Sequence, residues 1–120
     1  MPIARVDVTG PKSAEYKQAV MAAVRSAIVT CLGAGDERVN VRIVETPSDF
    51  VDLPSCRTER YTVVDIMLYE GRSDEMKRAF ADTLRADLAA APGIEPSEVS
   101  IALHSMAPTD LDVLPGEATG

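Results

Sequence analysis

Two stretches decide the fold of this sequence: KSAEYKQAV at residues 12–20 and RSDEMKRAF at residues 72–80. They lie 60 positions apart, and the same offset continues along both halves without a gap. Similar amphipathic helices alone would supply some matches, but identities held in one ungapped register indicate a duplicated unit. Seven identities fall in the register: Ser13 and Ser73, Glu15 and Glu75, Lys17 and Lys77, Ala19 and Ala79, Arg25 and Arg85, Gly33 and Gly93, Val39 and Val99.

The first unit reads as strand, helix, strand. IARVDV at residues 3–8 predicts a strand, Ser13 a helix N-cap and Gly33 the helix end. VNVRIV at residues 39–44 alternates and predicts a second, half-buried strand. Apolar residues spaced by three and four predict one buried helix face, in which Cys31 acts as small core filler rather than as a reactive thiol. That face comprises Val20, Ala23, Val24, Ala27, Ile28 and Cys31.

The second unit repeats this plan. YTVVDIMLY at residues 61–69 predicts a strand, Ser73 a cap and VSIAL at residues 99–103 the closing strand. The predicted helix face is Met76, Phe80, Thr83, Leu84 and Leu88.

Two such units predict an α/β (α+β) fold: a four-stranded mixed sheet with both helices on one face. We expect one domain over residues 1–120, with repeat units at about 2–45 and 62–105 and a C-terminal tail at 107–120. Residues 46–60 cross between the units. The second face of the sheet stays open, and we expect it to be apolar.

Composition limits the partners and the compartment. The chain has 120 residues and a net charge of -7, and its pI is near 4.6, which argues against nucleic acid or an anionic membrane as a partner. No apolar run reaches the ~20 residues of a membrane span, and no signal-peptide pattern opens the chain. Cys31 and Cys56 are too few and too far apart for a zinc motif. We therefore expect a soluble, cytoplasmic protein.

Pro2 stands at the mouth of the first predicted strand. Proline has no N–H to donate to a sheet ladder, so it is tolerated at the first residue of a strand. One explanation for Pro2 is therefore that it only marks where the strand begins. A second explanation is chemical. Methionine is usually trimmed before a small residue such as proline, which would leave the ring nitrogen of Pro2 as a free secondary amine and hence a base.

These features together resemble the tautomerase superfamily, specifically its fused, double-length branch of malonate semialdehyde decarboxylase-like proteins. The resemblance rests on Pro2, the two βαβ units and the run RTERYTVVDIMLYEGRSDEMKRAF at residues 57–80. It also rests on DER at 36–38, GRS at 71–73 and PGEA at 115–118. It implies a homotrimer that covers the open sheet face, and a cofactor-free enzyme whose acid or base is the nitrogen of Pro2.

The resemblance also implies the other site residues. Arg72 matches the substrate-binding arginine, and the repeat puts Lys12 in the equivalent place of the first unit. Glu37 matches an acidic residue that orients water or polarises the substrate. A small carboxylate is then the substrate class, because an arginine holds a carboxylate by two contacts. Alternatively, Arg72 and Lys12 are solvated residues ahead of a helix, although a cation there opposes the helix dipole.

Four further residues leave alternatives open. Arg57 and Arg60 precede the third strand, where a solvated edge and a second anion-binding role are about equally supported. His104, the only histidine, lies out of phase with the inward residues of its strand, so we expect it to face away from the helices. Glu37 itself also fits an ordinary charged loop.

Two departures from the family narrow the chemistry. LDVL at residues 111–114 replaces an aromatic-rich stretch, so Leu111 and Val113 are left to form the apolar wall beside Pro2. Glu70 stands where decarboxylase relatives carry another arginine. Less positive charge weakens the case for decarboxylation or dehalogenation, and it leaves simple tautomerisation as the less demanding reaction.

Three functional hypotheses follow. The first is a keto-enol tautomerase of small 2-oxo acids that uses Pro2 and Arg72. The second is a hydratase-type decarboxylase or dehalogenase that uses Pro2 and Glu37. The third is a non-catalytic trimeric binding protein with the same fold.

Overall fold

The computed structural model describes residues 2–112. Met1 and residues 113–120, which include Val113 and most of the predicted tail, lie outside the described residues. The elements, in chain order, are β1 (Ile3–Gly10), α1 (Ala14–Leu32), β2 (Asn40–Pro47), β3 (Thr62–Tyr69), α2 (Asp74–Ala90) and β4 (Val99–Met106). Short 3-10 turns lie at Asp36–Arg38, Ser48–Phe50 and Pro96–Glu98. The predicted fold of two βαβ units is confirmed.

The sheet has the strand order β2-β1-β3-β4. Within each unit the two strands are parallel, as the crossover helix requires, and the two units meet through antiparallel pairing of β1 and β3. In that pairing Ile3 lies opposite Met67, and Val8 lies opposite Thr62. The start of the first unit's leading strand is therefore next to the end of the second unit's leading strand.

Matched residues of the repeat make matched contacts. The Ser13 hydroxyl accepts the N–H of Tyr16 at 3.1 Å, and the Ser73 hydroxyl accepts the N–H of Met76 at 3.2 Å. Both serines thus cap the first turn of a helix, as predicted.

The core fills the space between the helices and one sheet face. Alternate residues of β1 and β3 point into it, and the two helices supply the rest. Cys31 is half-buried and packs against this core, with its Sγ 3.8 Å from the carbonyl oxygen of Ala79 on α2, and Leu32 is fully buried although it was not in the predicted face. The innermost side chains are Val6, Val20, Val24, Ile28, Leu32, Val64, Ile66, Leu68, Phe80, Leu84, Leu88 and Ile94.

The open sheet face is more polar than predicted. His104 does face away from the helices, and its ring contacts the carboxylate of Asp65 on the neighbouring strand. Arg5 and Asp7 form a second ion pair on the same face, at 3.3 Å. The expectation of an apolar face is therefore wrong, because strand positions that alternate with the core positions carry charged side chains.

The segment between β2 and β3 covers part of this open face. Val51 and Leu53 are half-buried and, with Asp7, Thr9 and Tyr61, help to line a cavity of about 200 Å³. Phe50, by contrast, is 81% exposed. Within residues 2–112, neither helix is both long enough and apolar enough to cross a membrane.

The end of α1 depends on a glycine. Gly33 has a φ of 69°, the left-handed conformation in which a side chain is strained, and a Cβ there would touch nothing within 4 Å. We expect Gly33→Ala to lower the free energy of unfolding by about 1 kcal/mol through backbone strain alone. Gly33→Asn should lose less, because asparagine tolerates this conformation. Denaturant unfolding of the three proteins measures the difference, and equal stability of all three would contradict the assignment.

Candidate functional site

Pro2 lies at the end of the sheet where β1 and β2 begin and where β3 and β4 end. We call this end of the sheet the Pro2 end and the opposite one the Lys12 end. Pro2 is buried, and its carbonyl oxygen accepts the N–H of Asn40 at 3.1 Å. It occupies the start of a central strand, where its missing N–H costs no ladder hydrogen bond. Whatever chemistry its ring nitrogen performs takes place at the boundary between the core and solvent.

Glu37 reaches the same end of the sheet. It belongs to the 3-10 turn Asp36–Arg38, which leads directly into β2. The Glu37 side chain is 78% exposed, and its carboxylate lies 3.9 Å from Nε of Arg38. An exposed pair at that distance holds neither side chain firmly. Glu37 is therefore accessible to water and to a ligand beside Pro2.

Arg72 is a cation held by two hydrogen bonds at the Pro2 end. It follows β3, and its guanidinium donates from Nε to the carbonyl of Leu32 and from Nη1 to the carbonyl of Tyr69, both at 3.0 Å. Leu32 ends α1, where the helix dipole favours a positive charge. Arg72 thus has a stabilising role that the sequence argument did not include. Its Nη2 has no hydrogen-bond partner among residues 2–112.

Lys12 lies at the opposite end of the sheet. β1 has 8 residues and spans about 26 Å at roughly 3.3 Å per residue, so Lys12 does not approach Pro2 of the same protomer. Its Nζ donates to the carbonyl of Glu59 at 3.1 Å and lies 5.4 Å from the centre of the Tyr16 ring. Antiparallel pairing explains this placement, because it puts Lys12 beside the start of β3, where Thr62 is the counterpart of Pro2.

Arg57 and Arg60 share the Lys12 end. Nη1 of Arg60 donates to the carbonyl of Gly93 at 3.2 Å, and the guanidinium of Arg57 lies 5.5 Å from the Tyr61 ring. The Tyr16 hydroxyl is buried there, and burial raises the pKa of Tyr16 above its ordinary value. The structure does not bring these arginines to the Pro2 end.

The chain beyond β4 leaves from the Pro2 end. Leu111 is only 4% exposed although it is not part of the main core cluster. This burial is compatible with the predicted role of Leu111 as an apolar wall. Glu70 directly precedes the turn to Arg72, and its N–H donates to the carbonyl of Met106 at 2.9 Å. The Glu70 side chain is exposed, so it adds negative charge at this end.

Sequence reasoning missed a second cation at the Pro2 end. Arg38 belongs to the same turn as Glu37 and is 69% exposed. The DER motif contains the signal, but only the parallel pairing of β1 and β2, with Ile3 opposite Asn40, shows that this turn lies beside Pro2.

The Pro2 end combines positive charge with a carboxylate and a buried proline. The described residues there include Pro2, the arginines Arg25, Arg38 and Arg72, and the accessible carboxylate of Glu37. Residues 2–112 hold no cluster of three or more histidine, cysteine, aspartate or glutamate side chains placed to bind a metal ion.

Comparison with known families gives these features a common context. A family model described as tautomerase enzyme matches residues 47–111, more than half of the chain. The chain belongs to the tautomerase family. A second model with the same description matches residues 2–51 and begins at Pro2. The protein is therefore an enzyme of this family in which each of the two halves matches a tautomerase model. The resemblance to the fused branch is confirmed.

Solved structures share the whole fold. A wild-type fused 4-OT that forms a symmetric trimer is 24% identical with a TM-score of 0.81, and the match covers 97% of this chain and 94% of that one. A malonate semialdehyde decarboxylase is 18% identical with a TM-score of 0.82, at 96% and 92% coverage. The FG41 malonate semialdehyde decarboxylase, inhibited by 3-bromopropiolate, is 26% identical with a TM-score of 0.76, at 96% and 91% coverage. No curated protein sequence matches the chain.

Proposed function

We propose that this tautomerase interconverts the keto and enol forms of a small 2-oxo acid, without a cofactor, and that the ring nitrogen of Pro2 carries the proton. One observation supports this most: Pro2 is buried at the start of a central strand, at the same end of the sheet as Arg72. A base and a carboxylate-binding cation at one end are what this reaction requires.

The environment of Pro2 suits a base at neutral pH. Once Met1 is removed, the nitrogen is a free amine, whose ordinary pKa is about 8. Burial penalises the ammonium form, and the positive charges of Arg72 and Arg38 at the same end penalise it further, while the exposed carboxylates of Glu37 and Glu70 act in the opposite direction. We propose that burial prevails and lowers the pKa of the amine, so a larger share is neutral and able to accept a proton at pH 7.

The proposed reaction moves one proton from oxygen to carbon. The neutral Pro2 nitrogen takes the proton of the enol hydroxyl, the oxygen forms the carbonyl, and the electron pair of the carbon–carbon double bond moves to C3. The Pro2 ammonium then gives its proton to C3. The O–H bond is broken, a C–H bond is formed, and the amine returns to its neutral state, so no other reactant is consumed.

Arg72 is proposed to hold the substrate carboxylate. Its contacts with Leu32 and Tyr69 fix the guanidinium while Nη2 keeps donors for a ligand. A guanidinium already held in place stabilises the negative charge of the enolate without rearrangement during the reaction. Leu111 is proposed to exclude water from the amine, and Val113 is proposed to share that role.

A decarboxylase or hydratase is the second candidate. The accessible Glu37 carboxylate favours it, because it can orient a water molecule beside Pro2. Glu70 opposes it, since its exposed carboxylate reduces the positive charge that stabilises a leaving or attacked anion. Tautomerisation needs no such water, and we therefore place it first.

We also propose that the protein is a homotrimer. The structurally similar fused 4-OT forms a symmetric trimer, and this chain leaves part of one sheet face and the Phe50 side chain uncovered. The ion pairs on the open face make that interface polar rather than apolar. Phe50 supplies the kind of large aromatic anchor that interfaces favour.

The state of Pro2 provides the decisive test of the reaction. We expect Met1-trimmed protein to tautomerise the enol of phenylpyruvate, and Pro2→Ala to lose activity by about one or more factors of ten, each worth about 1.4 kcal/mol. Protein with Met1 verified as retained by intact mass should lose more, because its Pro2 nitrogen is an amide. If that form reacts as fast as the trimmed one, the amine mechanism is wrong and Glu37 becomes the candidate base.

Arg72→Ala tests carboxylate binding. We expect a higher KM and a lower kcat, a loss of roughly 2 to 4 kcal/mol in kcat/KM. Stability should fall as well, because the carbonyls of Leu32 and Tyr69 lose their donor. Arg60→Ala is the matched control: it removes a guanidinium–carbonyl contact at the other end, so it should affect unfolding but leave kinetics unchanged. Unchanged kinetics in Arg72→Ala would contradict this role and make Arg38 the candidate for binding the substrate carboxylate.

Sedimentation equilibrium tests the assembly. We expect a mass three times the 12.8 kDa of the chain, and partial dissociation for Phe50→Asp, which places a charge in a contact. Asp49→Asn, a neighbouring change that removes a charge, serves as the control and should remain trimeric. A stable monomer of the unaltered protein would refute the trimer.

A further inference from the structure

A relay of two hydrogen bonds connects α1 with Pro2. Nη2 of Arg25 donates to the carbonyl oxygen of Val39 at 2.8 Å. The N–H of the following residue, Asn40, donates to the carbonyl oxygen of Pro2 at 3.1 Å. Arg25 therefore reaches Pro2 through one intervening peptide group.

That peptide group is rigid. The Val39 carbonyl and the Asn40 N–H belong to the same peptide bond, whose atoms lie close to one plane. A guanidinium that fixes the carbonyl side also fixes the direction of the N–H on the other side. The Pro2 carbonyl accepts from that N–H, so its position is fixed, and only rotation about the Cα–C bond remains between the carbonyl and the ring nitrogen. Because the proline ring is buried, that rotation is restricted as well.

Arg25 also holds the turn that leads to this peptide. Its Nη1 donates to the carbonyl oxygen of Asp36 at 2.8 Å and to the Asp36 carboxylate at 3.0 Å. The turn from Asp36 to Val39 is thus bound at both ends by one side chain, and Glu37 and Arg38 lie between the two points. The carboxylate contact is exposed and adds little, whereas the half-buried carbonyl contact is the firmer one.

We propose that Arg25 is a positioning residue for the reaction, which sets the orientation of the Pro2 nitrogen and of the turn carrying Glu37. The proposal rests on the function proposed above, because it assigns Arg25 an effect on the Pro2 amine. Arg25 touches neither the amine nor a substrate. Its effect passes through the Val39–Asn40 peptide.

The duplicated unit contains the matched control. Arg85 is the counterpart of Arg25, and its Nη2 donates to the carbonyl of Val99, the counterpart of Val39, at 3.1 Å. This contact lies at the Lys12 end, where Thr62 replaces Pro2. A change at Arg85 therefore removes the counterpart of the Val39 contact, though not of the two Asp36 contacts, without touching the reactive end.

The first experiment compares Arg25→Gln with Arg85→Gln in Met1-trimmed protein, with the enol of phenylpyruvate as substrate. We expect Arg25→Gln to lower kcat by about tenfold or more with little change in KM, because a slightly misdirected base reacts slowly. Arg85→Gln should keep the kcat of the unaltered enzyme. Arg25→Lys keeps the charge and reaches one carbonyl, so it should recover part of the loss. Equal losses in both glutamine variants, or none in either, would overturn the proposal.

The second experiment does not depend on turnover. A ¹⁵N NMR titration of the Pro2 nitrogen gives the pKa of the amine, and hydrogen exchange reports the Asn40 N–H. We expect Arg25→Gln to change the pKa of the amine and to speed exchange at Asn40, with Arg85→Gln changing neither. If the unaltered protein fails to convert the enol, the proposed reaction is wrong while this result still decides on Arg25. Identical titrations and exchange in the unaltered and Arg25→Gln proteins would overturn the positioning role.

Discussion

The antiparallel pairing of β1 and β3 is the constraint on which the rest of the structure depends. Each βαβ unit is parallel within itself, and one antiparallel strand pair joins the two units. This pairing brings Pro2, which begins one unit, to the same end of the sheet as Arg72, which follows the first strand of the other. Parallel pairing would instead place Lys12 and Arg72 at one end and leave Pro2 at the other, without Arg72.

The fold could be predicted from the sequence because its signals are local. Ser13 and Ser73 cap helices, Gly33 ends one, and alternation defines the strands, all within a few residues of each position. The repeat then fixed the topology, since two similar units have few ways to share a sheet. The prediction of an apolar open face was wrong although the sequence carries the signal: Asp65 and His104 alternate with core residues, and the structure shows that they pair across the strands.

The site was only partly predictable. Pro2, Glu37 and Arg72 lie at the same end of the sheet, whereas Lys12 lies beyond the other end of the 8-residue strand β1, which spans about 26 Å. The repeat identifies equivalent positions but does not say that equivalent positions occupy opposite ends. The role of Arg25 could not be predicted for another reason. Its side chain joins α1 to a turn by donating to two backbone carbonyls, and no sequence pattern indicates such contacts.

Fusion of the two units has a consequence for stoichiometry. A chain has one amino terminus, so only one of two equivalent strand starts can present a free amine, and the other is occupied by the ordinary peptide nitrogen of Thr62. On the proposed mechanism, the number of reactive centres is therefore half the number of βαβ units. The Lys12 end has no proline at its strand start, although Lys12, Arg60 and the buried hydroxyl of Tyr16 lie there.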